Sequence, residues 1–256
     1  MRVALTGAAS GIGAAVAEIL KARGDHVTAF DIAEPKANVD DFIATDLGNP
    51  TSIGAAVASV SGPYDALINN AGVPPRKGNE HFVLAVNFFG LRMFLDTMLG
   101  KLVDGAAIVN TASRAGAQWR DNLAEVKALM ALDPSNLHEF LADRKIDATR
   151  AYNLSKEAVI VETMARTQDL MARNLRMNSV SPAAVSTDIL ADFKAAFGDK
   201  VNQNLARSGR AGSPEEIAEV IVFLASPESG WIKGQDILID GGMSAMIASD
   251  QLGLTE

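Results

Sequence analysis

Six short apolar runs rich in β-branched residues recur along this chain: "RVALTG", "HVTAFD", "YDALINNAG", "AAIVNTAS", "RMNSVSP" and "GQDILIDGG". Each reads as a strand buried on both faces, and strands of that kind belong in a parallel sheet. Helical patterns lie between them. "AAVAEILKARG" puts Val16, Ile19 and Leu20 on one face and stops at Gly24, while "PEEIAEVIVFLAS" opens on Pro214 behind Ser213. Alternation of this kind, with right-handed crossovers, gives an α/β fold: a doubly wound parallel sheet with helices on both faces. Its ligand is expected beyond the carboxyl ends of the strands. With 256 residues and no linker, repeat or low-complexity run, the chain is expected to form one domain over 1–256.

Composition removes several function classes. Cysteine is absent, and His26, His81 and His138 lie far apart without ligand spacing, so no disulfide, cysteine nucleophile or metal site is expected. Net charge is -8 and the basic residues are scattered among acids, which argues against a nucleic-acid partner. No uninterrupted apolar stretch reaches the length of a membrane span, and Met1 leads directly into the first strand. A cytoplasmic protein without membrane contact is expected.

"TGAASGIG", Thr6 to Gly13, joins the first strand to a helix. Gly7 permits a tight turn, Gly11 lets the backbone approach a pyrophosphate, and Gly13 lets helix pack on strand. The helix N-terminus, with Ser10 and Ile12, favours the anion. The spacing is not the commonest dinucleotide fingerprint, and three glycines in a turn can be no more than a turn. Asp31, at the end of the second run, can accept hydrogen bonds from a ribose diol and would repel a 2′-phosphate. Neither Ser10 nor Ile32 supplies a cation to neutralise that phosphate. NAD is therefore expected over NADP, the alternative for Asp31 being a solvated turn residue.

"AYNLSK" puts Tyr152 and Lys156 four positions apart, on one face if the segment is helical. A nearby ammonium lowers a phenol from its usual pKa near 10, which makes Tyr152 a candidate acid/base. Taken alone, the pair also fits a solvated helix face.

The ordered set "TGAASGIG", "NNAG", Asn87 in "VNFFG", Ser113 in "NTAS", "YNLSK" and "IDGG" resembles the short-chain dehydrogenase/reductase family over nearly the whole chain. That resemblance implies a single Rossmann-like domain using a nicotinamide cofactor. It assigns Tyr152 as general acid/base, Ser113 to orient the substrate oxygen, and Lys156 to hold the nicotinamide ribose and lower the phenol's pKa. Asn87 would help hold a water in a proton relay. Further cofactor contacts carry over to Asp46 and Leu47, to Asn70, Ala71 and Gly72, and to Pro182 and Thr187. Asp46 can instead be a helix cap, and Gly72 only a turn. Ala183 stands where the family usually has glycine, so it would be strained if that position needs a positive φ.

The segment between Ser113 and Tyr152 is longer than the family usually has, an insertion at about 119–149. "NLAEVKALMAL" can start with an Asn122/Glu125 capping box and puts Leu123, Val126 and Met130 on one face. "DPSNLHEFLADRK" has Asp133 as cap, Pro134 in the first turn, and Leu137, Phe140 and Leu141 together. The expectation is a helical hairpin with one apolar side. An insertion here resembles the branch that includes coniferyl-alcohol and bacterial hydroxysteroid dehydrogenases. In most of the family the Tyr/Lys helix joins a four-helix subunit interface, and the resemblance favours a homodimer over a tetramer. The apolar side either meets another subunit or packs on its own.

Residues of about 189–210 correspond to the family's variable substrate lid, with Phe193 and Phe197 on one helix face and Gly198 and Gly209 as hinges. Together with Trp119, they suggest an apolar, partly aromatic substrate pocket touching Ser113, Tyr152 and Phe193, although these aromatics fit a core equally well. The expected activity is NAD(H)-dependent interconversion of a hydrophobic aryl, alicyclic or steroid-like alcohol and its aldehyde or ketone. The alternative is a non-catalytic NAD-binding sensor or scaffold. A serine hydrolase built on Ser113 or Ser10 lacks a G-x-S-x-G elbow.

Overall fold

The six runs all form strands, and a seventh joins them: β1 (Arg2–Thr6), β2 (His26–Asp31), β3 (Asp41–Ala44), β4 (Tyr64–Asn69), β5 (Leu102–Thr111), β6 (Arg176–Pro182) and β7 (Asp236–Ile239). These come from a computed structural model that describes residues 1–254. Every pairing is parallel, in the order β3-β2-β1-β4-β5-β6-β7. β3 escapes a sequence reading because it is short, lies at an edge and begins and ends on exposed residues. β7 departs from the expectation of burial on both faces. It is the other edge, and its Leu238 is 47% exposed.

The helices are α1 (Gly11–Ala22), α2 (Pro50–Ser59), α3 (Glu80–Leu84), α4 (Leu91–Met98), α5 (Leu123–Met130), α6 (Leu137–Arg144), α7 (Ala148–Ala165), α8 (Thr167–Met171), α9 (Leu190–Phe197), α10 (Asp199–Ser208), α11 (Pro214–Ala225) and α12 (Met243–Leu252). On one face of the sheet, Val16 and Leu20 of α1 and Ile221 and Val222 of α11 pack on Val3, Leu5 and Ile68. On the other, Ile53 and Val57 of α2 and Phe94 and Met98 of α4 pack on Phe30, Leu67 and Ile108. The order of strands reverses between β1 and β4, so a crevice opens beyond their carboxyl ends.

A π-helical turn, Ala85–Gly90, joins α3 to α4. The resulting helical stretch Glu80–Lys101 is long and apolar enough to cross a membrane by composition, yet 61% of its most apolar window is buried inside the fold. Its apolar side chains, Phe88, Phe94 and Met98 among them, fill the core.

The insertion forms the expected pair of helices, α5 and α6. Asp133 accepts from the Ser135 N–H ahead of Pro134, as a cap should. The Asn122/Glu125 capping box does not form. Asn122 instead donates through Nδ2 to Glu157 Oε1 at 2.7 Å, and Glu125 pairs with Arg150 at 2.6 Å. The physical reason is Glu157, a carboxylate on α7 whose side chain is 1% exposed and takes the donors within reach. The apolar side of the hairpin packs on its own subunit: Val126, Leu129, Leu137, Phe140 and Leu141 share one core with Leu154, Ala158 and Ile160 of α7.

Candidate active site

The loop after β1 is built by contact. A Cβ on Gly13 would stand 1.8 Å from the Gly7 carbonyl oxygen, so only glycine lets α1 start this close to the strand. The Thr6 hydroxyl accepts the N–H groups of Asn70 (3.0 Å) and Ala71 (3.1 Å), while Asn70 Nδ2 donates to the Gly7 carbonyl at 3.1 Å. Thr111 donates in turn to Asn70 Oδ1. The ends of β1, β4 and β5 are thus tied around the crevice. Thr6 and Thr111 are parts of this framework that the motif reading passed over.

Asp31 caps the loop from β2. Its Oδ2 accepts from the Ala9 N–H at 2.9 Å and its Oδ1 from the Ala33 N–H at 3.1 Å. Asp46 accepts from the Gly48 N–H, and the cap of α2 is Asn49, so the alternative role for Asp46 falls away. Ser10 stands at the N-terminus of α1, where its side chain makes no capping bond.

These groups border a single cavity of about 1070 Å³. Its lining includes Gly7, Ser10, Gly11, Ile12 and Asp31, then Asp46, Leu47, Asn70, Ala71 and Gly72, and then Ser113, Tyr152, Lys156, Pro182, Thr187 and Phe193. Two predicted site residues stand behind the wall. Gly13 underlies the loop. Asn87 is fully buried and clasps the backbone of Val73, accepting its N–H at 2.8 Å and donating to its carbonyl at 3.0 Å.

Trp119 is a correction. It is not on the cavity lining: its ring packs partly against the core around α7 and faces the Arg120 guanidinium at 4.2 Å. The turn Arg114–Gly116 redirects the chain before Trp119 is reached. Around Tyr152 the aromatic lining comes from α9, where Phe193 and Phe197 meet the Tyr152 ring edge-on at centroid distances of 5.1 and 6.3 Å. The helix is held over the site by Arg76, whose Nε and Nη2 bind both oxygens of Asp192 at 3.0 and 2.9 Å.

The tyrosine and lysine share a face of α7, as their spacing requires. Lys156 Nζ donates to the Thr111 carbonyl at 2.8 Å and lies 5.7 Å from the Tyr152 ring centre. Burial pushes the Lys156 ammonium down to about 8. The Tyr152 phenol corrects the expectation of a lowered pKa. Burial pushes it up to about 12, with a hydrogen bond to Ser113 acting the other way. Desolvation of the phenolate is the largest cause, and the Ser113 hydrogen bond does not offset it. Ala183 carries no strain: the non-glycine residues at positive φ among those described are Asn38, Lys145 and Asn174, and the Ala183 N–H continues β6 by donating to the Ile239 carbonyl.

The site therefore offers a neutral phenol, a serine hydroxyl and a buried ammonium at one end, beneath aromatic rings. A carboxylate and a glycine-rich helix N-terminus stand at the other. A helix N-terminus with a backbone-lined cradle suits a pyrophosphate, and a carboxylate at the end of β2 suits a ribose diol. A nicotinamide dinucleotide fits these residues.

Two family models match the sequence, short chain dehydrogenase over residues 2–125 and Enoyl-(Acyl carrier protein) reductase over residues 136–244. Coniferyl-alcohol dehydrogenase from Pseudomonas sp. is 33% identical across 95% of this chain and 96% of its own. The 3-alpha-hydroxysteroid dehydrogenase/carbonyl reductase of Comamonas testosteroni is 28% identical across 97% of this chain and 98% of its own. Among solved structures, the 3-alpha-hydroxysteroid dehydrogenase from Pseudomonas sp. B-0831 complexed with NADH is similar at a TM-score of 0.86 and 34% identity, covering 97% of this chain and 99% of that one.

Proposed function

The chain belongs to the short-chain dehydrogenase/reductase family, and we propose that it interconverts a hydrophobic, ring-bearing alcohol and its aldehyde or ketone with NAD(H), Tyr152 serving as acid/base. The observation that carries the reading is the convergence of Ser113, Tyr152 and Lys156 under Phe193 and Phe197 in the cavity that continues to Asp31. Relatives named for an aryl alcohol and for a steroid support an aryl, alicyclic or steroid-like substrate.

A bound nicotinamide supplies or accepts the hydride. The chain's own residues manage the oxygen. In reduction, the Ser113 hydroxyl donates to the carbonyl oxygen, and the Tyr152 hydroxyl gives its proton to that oxygen as charge develops there. In oxidation, the tyrosine oxygen accepts the alcohol proton, which requires the phenolate. Lys156, held at the Thr111 carbonyl, is placed to bind a ribose hydroxyl and to stabilise that phenolate. Asn87 fixes the Val73 backbone beside Gly72 and thereby the wall of the site. Phe193 and Phe197 exclude water and stack against the substrate's rings.

Asp31 sets the choice of NAD over NADP, because its carboxylate would face a 2′-phosphate and Ile32 beside it brings no compensating charge. We infer a homodimer rather than a tetramer, because α5 and the Arg150–Glu157 bridge cover a flank of α7, the helix most of the family uses in its tetramer. Steady-state kinetics over a panel of ring alcohols and ketones with both cofactors tests the reading. NADPH supporting a much higher kcat/KM than NADH would overturn the role of Asp31, and a tetramer mass by light scattering would overturn the dimer.

A further inference from the structure

We propose that Asn153 determines substrate specificity by accepting a hydrogen bond from a second hydroxyl group on the substrate, several bonds from the reacting carbon; this rests on the alcohol/carbonyl reading above. Asn153 follows Tyr152 on α7 and lines the same cavity. Its Oδ1 is buried and has no hydrogen-bond partner. An amide oxygen left in that state costs about 1–3 kcal/mol, an expense a folded protein keeps where a partner arrives from outside.

Charged donors on α7 and beside it are committed elsewhere, and Lys156 donates to the Thr111 carbonyl. Arg150 gives Nε to Glu125, and its Nη1 and Nη2 to Glu157 and Glu125. Asn122 gives Nδ2 to Glu157. Arg114, also on the lining, directs Nε to Ser244 at 3.2 Å, with Asp240 3.6 Å away. The lid and the C-terminal helix contribute the apolar Phe193, Phe197, Val201, Leu205, Met243 and Ile247; of the lid's polar lining residues, Ser208 bonds backbone carbonyls of its own helix, Arg210 bonds Glu216, and Asn204 does not reach Asn153 Oδ1. Gln118 lines the cavity in an exposed position and does not reach Asn153 Oδ1. The missing donor is one the ligand brings.

Successive side chains leave a helix about 100° apart, so the group at Asn153 is not the oxygen held by Tyr152. One molecule reaches both residues when a ring or a short chain separates its two oxygens. A substrate lacking the second hydroxyl leaves Oδ1 unpaired in the bound state and is discriminated against for that reason.

The test compares kcat/KM for every ring alcohol that the wild-type protein oxidises with the values for its hydroxylated and methoxylated analogues. It is run in wild type, in Asn153→Leu, which keeps the size and removes the acceptor, and in Asn153→Asp, which keeps an acceptor. A methoxy group accepts but cannot donate, so wild type is expected to prefer a hydroxylated analogue over its methoxylated partner by about tenfold to a hundredfold. Asn153→Leu is expected to lose that preference and Asn153→Asp to retain it. The ratio is insensitive to partial unfolding, which lowers both values together. A wild type without the preference, or an Asn153→Leu protein that keeps it, overturns the assignment and leaves the proposed function standing. A wild type inert on every ring alcohol contradicts the proposed function itself.

Discussion

A Cβ on Gly116 would stand 2.8 Å from the carbonyl carbon of Lys156, so the turn that follows Ser113 rests directly on the backbone of the helix that carries Tyr152 and Lys156. That contact sets the spacing between the serine and the tyrosine. Gly116→Ala must push the turn off α7. The expected result is a kcat lowered by about tenfold to a hundredfold and a stability loss of about 1–3 kcal/mol. Steady-state kinetics beside a urea titration checks both, and an unchanged kcat would show that the spacing is set elsewhere.

Arg150 joins the insertion to the same helix, bridging Glu125 at 2.6 Å and Glu157 at 2.7 Å. Because the Glu157 side chain is 1% exposed, Arg150→Met strands a buried carboxylate. The expected loss is about 3–5 kcal/mol, with partial recovery when Glu157→Gln is added. Denaturant unfolding of the single and double variants decides it. Recovery failing to appear would mean that Arg150 matters through its packing.

The pH dependence follows from the two shifted groups. Lys156, held down to about 8, binds fewer protons folded than unfolded. Its contribution to stability is present above its usual 10.5 and is lost as pH falls through about 8. Lys156→Met is therefore expected to be more stable than wild type at pH 7, by about 1–3 kcal/mol, with the gap closing toward pH 10.5. Tyr152, pushed up to about 12, contributes in the opposite sense: stability present below 10 is lost as pH rises through about 12. In turnover, oxidation needs the phenolate and should gain with rising pH, while reduction uses the phenol already present at pH 7. Thermal melts and pH profiles of kcat/KM in both directions check these signs.

The pair of hydrogen bonds from Arg76 to Asp192 ties α9, whose two phenylalanines meet Tyr152, to the loop after β4. The pair is exposed, so Arg76→Ala should leave stability nearly unchanged. It should raise KM by about twofold to tenfold, because the substrate then meets a lid that is no longer held shut. An unchanged KM would mean that the ring contacts alone keep α9 in place.

What the sequence revealed followed from strong local signals. Strands β1, β2, β4, β5 and β6 are apolar runs buried on both faces, and the glycine loop, Asp31 and the Tyr152/Lys156 spacing lie at fixed offsets from them. What escaped depends on partners distant along the chain. The capping box at Asn122 loses to Glu157, which is far away in sequence but buried nearby. Trp119 misses the cavity because the turn at Gly116 is locked to α7, a contact that no local pattern encodes. The sign of the Tyr152 shift could not be read from its lysine neighbour, since burial dominates it. Asn153 sat inside the quoted motif without any signal of its own.

Removing the Tyr152 hydroxyl decides whether that group carries the proton. The measurement is the rate of reduced-nicotinamide formation by Tyr152→Phe on a ring alcohol that wild type oxidises, with NADH affinity measured alongside to report an intact fold. Turnover is expected to fall by about 10² to 10⁴-fold with cofactor affinity retained. Tyr152→Phe turning over at the wild-type rate would contradict the acid/base role.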